Sequence, residues 1–167
     1  VQVVQTCASL NREIIVSELG HGMKGKIQDS YSCIHNYIES PDTSYNKQAI
    51  LRKGAISAKA GEPVIMPINM RDGILLGNGL GNADWNASAP HGAGRIMKRE
   101  DVKTTFTVSQ YNTAMKGIYS SCIGKATLDE APFAYRNLAD IREAIKDTVQ
   151  IDKIIKPIYN FKAGEHK

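Results

Sequence analysis

One stretch limits the folds open to this chain more than any other: Asn78 to Arg99, NGLGNADWNASAPHGAGRIMKR. Its centre is Ser88-Ala89-Pro90-His91-Gly92-Ala93-Gly94-Arg95. Pro90 fixes its own φ and lacks an amide donor, while Gly92 and Gly94 reach backbone angles closed to other residues. Such a run builds neither a helix nor a central strand. It holds one imidazole on an exposed, sharply shaped loop with bare backbone beside it. Phosphate oxygens can approach N–H groups closely there, and the Arg95 guanidinium offers a planar two-pronged contact. The plainer reading of the motif by itself is a glycine-rich surface loop with an incidental histidine.

The 167 residues suffice for one domain with a real core, and residues 1–167 are read as a single domain. Hydrophobic content of 42% and charged content of 23% are those of an ordinary globular chain. The net charge of +4 fits an RNA or nucleotide partner but decides little. Cys7, Cys33 and Cys122 are odd in number and widely spaced, so neither a disulfide framework nor a CxxC metal knuckle follows, and a cytoplasmic location is expected. No run approaches a membrane span and no signal segment opens the chain.

Val1 to Cys7 alternates weakly and predicts a strand. Leu10, Ile14, Ile15 and Leu19 recur at helical spacing, with Ser9 or Asn11 as cap and Gly20-His21-Gly22 as the stop. Asp29 to Glu39 reads as a strand buried on both faces, in which His35 by itself is a hydrogen-bonded core histidine. Ile50 to Ala58 and Pro63 to Gly73 form a β-rich block, with Pro67 to Met70 as a turn and Arg71-Asp72-Gly73 as a second turn signal. Arg52 and Lys53 are placed to meet phosphates or to form a solvated strand edge. Thr107 with Gln110 makes a capping box. Ile118 to Ile123 and Ile151 to Phe161 read as strands, and Asn137 to Val149 as an amphipathic helix. Asp129 and Glu130 suit a structural, cap-forming role better than an acid/base pair. Helix and strand signals intermix without βαβ regularity, so the fold class expected is α+β, with mixed α and β layers.

The run PHGAGR, preceded by GNADWNASA, resembles the signature of the RNA-splicing ligase RtcB family. RKGA at Arg52 to Ala55, the Pro-x-x-Met of Pro67 to Met70, and DEAPFAYR at Asp129 to Arg136 resemble further elements of that family. The resemblance implies the C-terminal portion of the RtcB-like fold and a GTP- and Mn²⁺-dependent RNA ligase. Such an enzyme joins a 3′-phosphate or 2′,3′-cyclic phosphate end to a 5′-hydroxyl end in tRNA splicing or RNA repair. His91 is then the catalytic nucleophile that becomes guanylylated, and His35 a metal ligand. GTP-contacting positions implied are His35, Asn36, Pro67, Asn69, Met70, His91, Gly92, Ala93, Gly94 and Lys162. Ile68, Asn69 and Arg71 depart from the small residues common there, and Ile74 stands near a guanine-contacting serine of relatives.

The resemblance also implies that the family's other metal ligands, an aspartate, a cysteine and two histidines, lie upstream. None of Cys7, Cys33 or Cys122 matches that cysteine. The expectation is a fragment whose partners are RNA ends and a missing N-terminal segment, supplied in cis or by another chain, with no membrane. A non-catalytic guanine-nucleotide or RNA-binding module is the alternative.

Overall fold

The longest strand of the β-rich block contains two prolines, which settles where it can lie. A proline cannot donate to a sheet ladder, so a strand carrying Pro63 and Pro67 belongs at an edge. In the computed structural model, which describes residues 2–28, 30–41 and 47–161, it does. The main sheet has the order β4-β5-β8, with β4 (Pro63–Asn69) and β8 (Val149–Ile155) antiparallel to the central β5 (Gly73–Gly79). Along β4 the side chains of Val64, Met66 and Ile68 are buried, while Pro63 and Pro67 are exposed.

Ahead of this sheet lie α1 (Gln2–Gly22), β1 (Asn36–Glu39), β2 (Ile50–Lys53) and β3 (Ala55–Ser57). Behind it come β6 (Ser88–Pro90), α2 (Arg99–Thr105), α3 (Val108–Ala114), β7 (Tyr119–Ser120), α4 (Leu138–Ile145) and, after β8, β9 (Tyr159–Asn160). The strands β1 and β2 pair antiparallel, as do β3 and β6, whereas β7 and β9 pair parallel. The fold class is α+β, as expected.

Two apolar clusters hold these elements. The first joins Val64, Met66, Ile68 and Leu75 of the sheet to Ile141 and Ile145 of α4 and to Ile56, Ala89 and Ala93. The second gathers Met70, Tyr111, Met115, Leu128 and Ala131. Both helices start on side-chain caps, of which the one at Thr107 was predicted. Thr107 and Gln110 form the full capping box of α3, and the Asn137 side chain accepts from Asp140 N at the start of α4.

Several sequence expectations require correction. Within the described residues, the predicted strand of residues 1–7 is the first part of α1. β-branched residues cost only tenths of a kcal/mol in a helix, and extending one already nucleated by Leu10 to Leu19 avoids a second nucleation cost. Of the described residues of the segment from Asp29 to Glu39, which are 30–39, only Asn36–Glu39 is strand, because β2 offers just four partner residues. Tyr31 is exposed rather than buried, and His35 lies just outside the strand. Pro67 and Asn69 belong to β4, so the turn is made by Met70 to Asp72. The strand at Ile118 to Ile123 shrinks to Tyr119–Ser120. The last strand divides in two around Pro157. α4 ends at Ile145, and Val149 opens β8 instead.

No helix among the described residues is long and apolar enough to cross a membrane. The three cysteines are free thiols.

Candidate active site around His91

Pairing of β3 with β6 brings Ala55 opposite Pro90, so the chain emerges from the ladder with His91 beside Gly54. The His91 amide donates to Gly54 O at 3.3 Å, and the ring Nδ1 lies 2.7 Å from the same oxygen. A carbonyl can only accept, so Nδ1 carries a proton, and in the neutral ring it is Nε2 that keeps the lone pair. Gly54 is required here: its φ is +69°, and a Cβ would sit 3.4 Å from the His91 ring atoms Cε1 and Nδ1. Its own N–H is shared between His35 O at 2.9 Å and Asn36 Oδ1 at 3.1 Å. One glycine therefore ties three of the predicted residues together. The His35 ring stacks on His91 with centroids 4.7 Å apart and planes 8° from parallel. Partial burial, then the neighbouring His91 and Arg12, push the His35 imidazole below its ordinary value, so it stays neutral near pH 7.

The glycine loop closes against β4. Ala93 N donates to Pro67 O at 3.2 Å, and a Cβ on Gly92 would lie 3.1 Å from that same oxygen. This juxtaposition forms a cavity of about 970 Å³. Its wall includes Pro67, Asn69, Met70, His91, Gly92, Ala93 and Gly94, seven of the positions singled out from the sequence. The Asn69 amide is engaged in its own turn, where Oδ1 accepts from Arg71 N and Asp72 N and Nδ2 donates to Asp72. Ile74 also lines the wall. His35 and Asn36 join the site through Gly54 and the ring stack, while Lys162 lies outside the described residues.

Sequence reasoning missed part of this wall. Tyr135, Lys156, Pro157, Ile158, Tyr159 and Asn160 line it too. Asn160 is fixed there by a 2.8 Å bond from Nδ2 to Met70 O, across a separation of 90 residues. Tyr135 stood inside a motif already noticed, whereas residues 156–160 carried no local signal.

The profile of the family described as tRNA-splicing ligase RtcB matches residues 1–163. The chain belongs to the RtcB family. The RNA-splicing ligase RtcB of Escherichia coli K12 is 30% identical over 159 residues, which is 88% of this chain and 38% of the relative. The tRNA-splicing ligase RtcB of Aeropyrum pernix is 33% identical over 147 residues, 75% of this chain and 30% of the relative. The chain thus spans well under half the length of these curated relatives.

The motifs shared with the RtcB family divide into those that line the cavity and those that brace it. Arg95, expected to meet phosphate, lines the wall but donates to Asp129 O at 2.6 Å, to Glu130 at 2.8 Å and to Tyr135 OH at 3.0 Å. Arg99 bridges Asp129 and Glu130 at 2.5 and 2.6 Å, and its side chain remains 62% exposed. Burial pushes the Asp129 carboxyl upward, but Arg99 and Lys103 outweigh it and hold the group below its ordinary value. Burial and the Glu130 carboxylate push Tyr135 up to about 12. Asp129 and Glu130 are therefore structural anchors, in keeping with the sequence reading.

Arg52 corrects the other phosphate expectation. It is 2% exposed, donates to Glu39 and Asn86 O, and also bonds Ser88 Oγ. It braces the base of the His91 loop instead of facing solvent. Lys53 is exposed at the end of β2.

A bound Mn²⁺ fits these residues poorly. No group of three His, Cys, Asp or Glu side chains that could hold a metal occurs among the described residues. The two stacked rings do not share an ion either. An imidazole lone pair lies in its ring plane, and two near-parallel rings stacked with centroids 4.7 Å apart do not aim their lone pairs at one point an ordinary N–metal distance of about 2 Å from both.

Proposed function

We propose that this chain carries the guanylylation centre of a GTP- and Mn²⁺-dependent RNA ligase, with His91 as the nucleophile and residues 1–167 acting as one domain. The observation that supports this is the His91 Nδ1 bond to Gly54 O at 2.7 Å, at the wall of a cavity large enough for a nucleotide. With the proton held on Nδ1, the Nε2 lone pair attacks the α-phosphorus of GTP. An N–P bond forms, the bond from phosphorus to the bridging oxygen breaks, and pyrophosphate leaves. The imidazole becomes cationic as it is phosphorylated, and the Gly54 carbonyl stabilises that charge through the bond it already accepts. The bare backbone of Gly92 to Gly94 receives phosphate oxygens.

GMP then passes to an RNA 3′-phosphate, restoring neutral His91, and the 5′-hydroxyl attacks the activated end and expels GMP. A cyclic phosphate is opened to the 3′-phosphate first. Mn²⁺ belongs to this reading, but its ligands beyond His35 come from outside the described residues, and no step above is routed through it.

The test is radiolabelled GTP with Mn²⁺, followed by denaturing electrophoresis, on the chain alone and combined with the remaining length of a relative. Label that is acid-labile, alkali-stable and lost in His91→Ala is expected; label kept by that variant removes His91 from the role. The lack of a three-ligand group among the described residues favours a second reading, a guanine-nucleotide or RNA-binding piece without chemistry. Saturable GTP binding with no label in either context would select it.

A further inference from the structure

The wall of the His91 cavity ends in a pair of aromatic rings that the proposed chemistry does not use. Tyr159 lines the cavity, and Tyr119, its register partner in the parallel β7–β9 pair, stacks on it. The ring centroids are 5.4 Å apart and the planes 20° from parallel. Neither ring is core: Tyr119 is 69% exposed and Tyr159 50%. Yet the pair stands on an anchored element. Ser120 Oγ donates to Asn160 O at 3.2 Å, Ser121 Oγ and Tyr159 OH lie 3.1 Å apart, and Asn160 is bonded to Met70 O. Two large rings held stacked and in water, on short strands that bury little, form a preformed flat surface. Lys156, on the same cavity wall, adds positive charge beside it.

We propose that the Tyr119–Tyr159 pair is a stacking platform for a nucleobase of a single-stranded RNA end, guiding its terminal phosphate toward His91. This rests on the RNA-ligase reading and names how its substrate is held. Every base has a π-face, so a ring at the cavity edge grips single strands without reading sequence, and nearby cations track the backbone. A duplex keeps its bases stacked on one another and offers only its terminal pair. The platform therefore selects frayed or single-stranded ends.

The experiment is fluorescence anisotropy with the full 167-residue chain and a fluorescein-labelled, 12-nucleotide single-stranded RNA bearing a 3′-phosphate. Tyr119→Ala should weaken binding by about 5- to 150-fold, the equivalent of ~1–3 kcal/mol per stacked base. Tyr119→Phe, which keeps the ring and tests stacking without risking the fold, should bind within about twofold of the parent. A Tyr119→Ala variant that binds like the parent overturns the platform, as does a parent chain with no affinity for the oligonucleotide. So does a Phe variant as weak as the Ala variant, because the hydroxyl rather than the ring would then be the contact. Labelling of His91 by GTP is read separately. Loss of RNA affinity in Tyr119→Ala, with no His91 label in the chain either alone or combined with the remaining length of a relative, would sink the ligase reading and leave the platform standing.

Discussion

Replacing Glu39 by Ala should cost this chain roughly a fifth to three-fifths of the stability of an ordinary domain, through Arg52. The Arg52 side chain is 1% exposed and meets Glu39 Oε2 at 2.6 Å, and Lys59 Nζ lies 2.9 Å from Glu39 Oε1. Glu39 is thus the carboxylate counterpart of a buried guanidinium whose other partners, Ser88 and Asn86 O, are neutral. Breaking a buried pair by removing one member typically costs about 3–5 kcal/mol, because the remaining charge is left uncompensated. The side chain of Glu39 is 12% exposed, so water can enter the vacated space and the lower end, about 3 kcal/mol, applies. Unfolding entropy near 2.1 cal/mol/K per residue gives roughly 0.35 kcal/mol/K for a chain of this size, so the expected drop in Tm is about 9 °C. Circular dichroism melts at pH 7 measure it. The double variant Glu39→Met, Arg52→Met should recover much of the loss, since an apolar pair of similar volume needs no counter-charge. A drop under about 2 °C for Glu39→Ala, or a double variant no better than the single one, would refute the account of Arg52 as a buried charge dependent on Glu39.

His35→Ala should leave the fold nearly intact, because a single exposed ring stack is worth only about 0.5–1.5 kcal/mol, while weakening Mn²⁺ binding in a protein that joins this chain to the remaining length of its relatives; unchanged metal titration would remove His35 as a ligand. The carboxyls of Glu39, Asp72 and Asp129 are held below their ordinary values, against burial, by Lys59 and Arg52, by Asn69 and Arg71, and by Arg99 and Lys103 respectively. Their stabilisation is complete above the unfolded values of 4.5 and 3.8 and is lost as pH falls through the lower folded values. Tm should therefore fall below about pH 4, beyond the smaller decline that the lowered His35 value brings between pH 7 and about 5; an equal Tm at pH 3 and pH 7 would contradict this. The purified chain with GTP, Mn²⁺ and RNA ends bearing 3′-phosphate and 5′-hydroxyl should give no joined product, since phosphoryl transfer depends on metal-borne charge stabilisation that one histidine ligand does not secure. Joined product that disappears in His91→Ala would show that the site is complete in these residues.

The sequence by itself determined the local chemistry. Pro90, Gly92 and Gly94 dictated an exposed loop around His91, Thr107 and Gln110 dictated a helix start, and Leu138, Ile141 and Ile145 dictated a helix face, because each is an effect of neighbours within one turn. The edge position of β4 also follows from the missing N–H of Pro63 and Pro67, but only once the structure shows Pro67 in a strand and not in the turn read from the sequence. Tertiary structure decided whatever depends on a distant partner. The length of β1 is fixed by β2, and the helical state of residues 2–7 by the helix they extend. Arg52 and Arg95 look like solvent cations in sequence. Glu39 and Glu130, distant in the chain, make them internal struts instead. The proton position on His91 is of the same kind, since it depends on the carbonyl of Gly54, 37 residues earlier. So is the far wall of the cavity, where β9 arrives from a separation of 90 residues through one bond to Met70 O. Periodicity and capping act within a turn or two of chain, whereas burial, ion pairing and ring stacking are set by whichever residues the fold brings alongside.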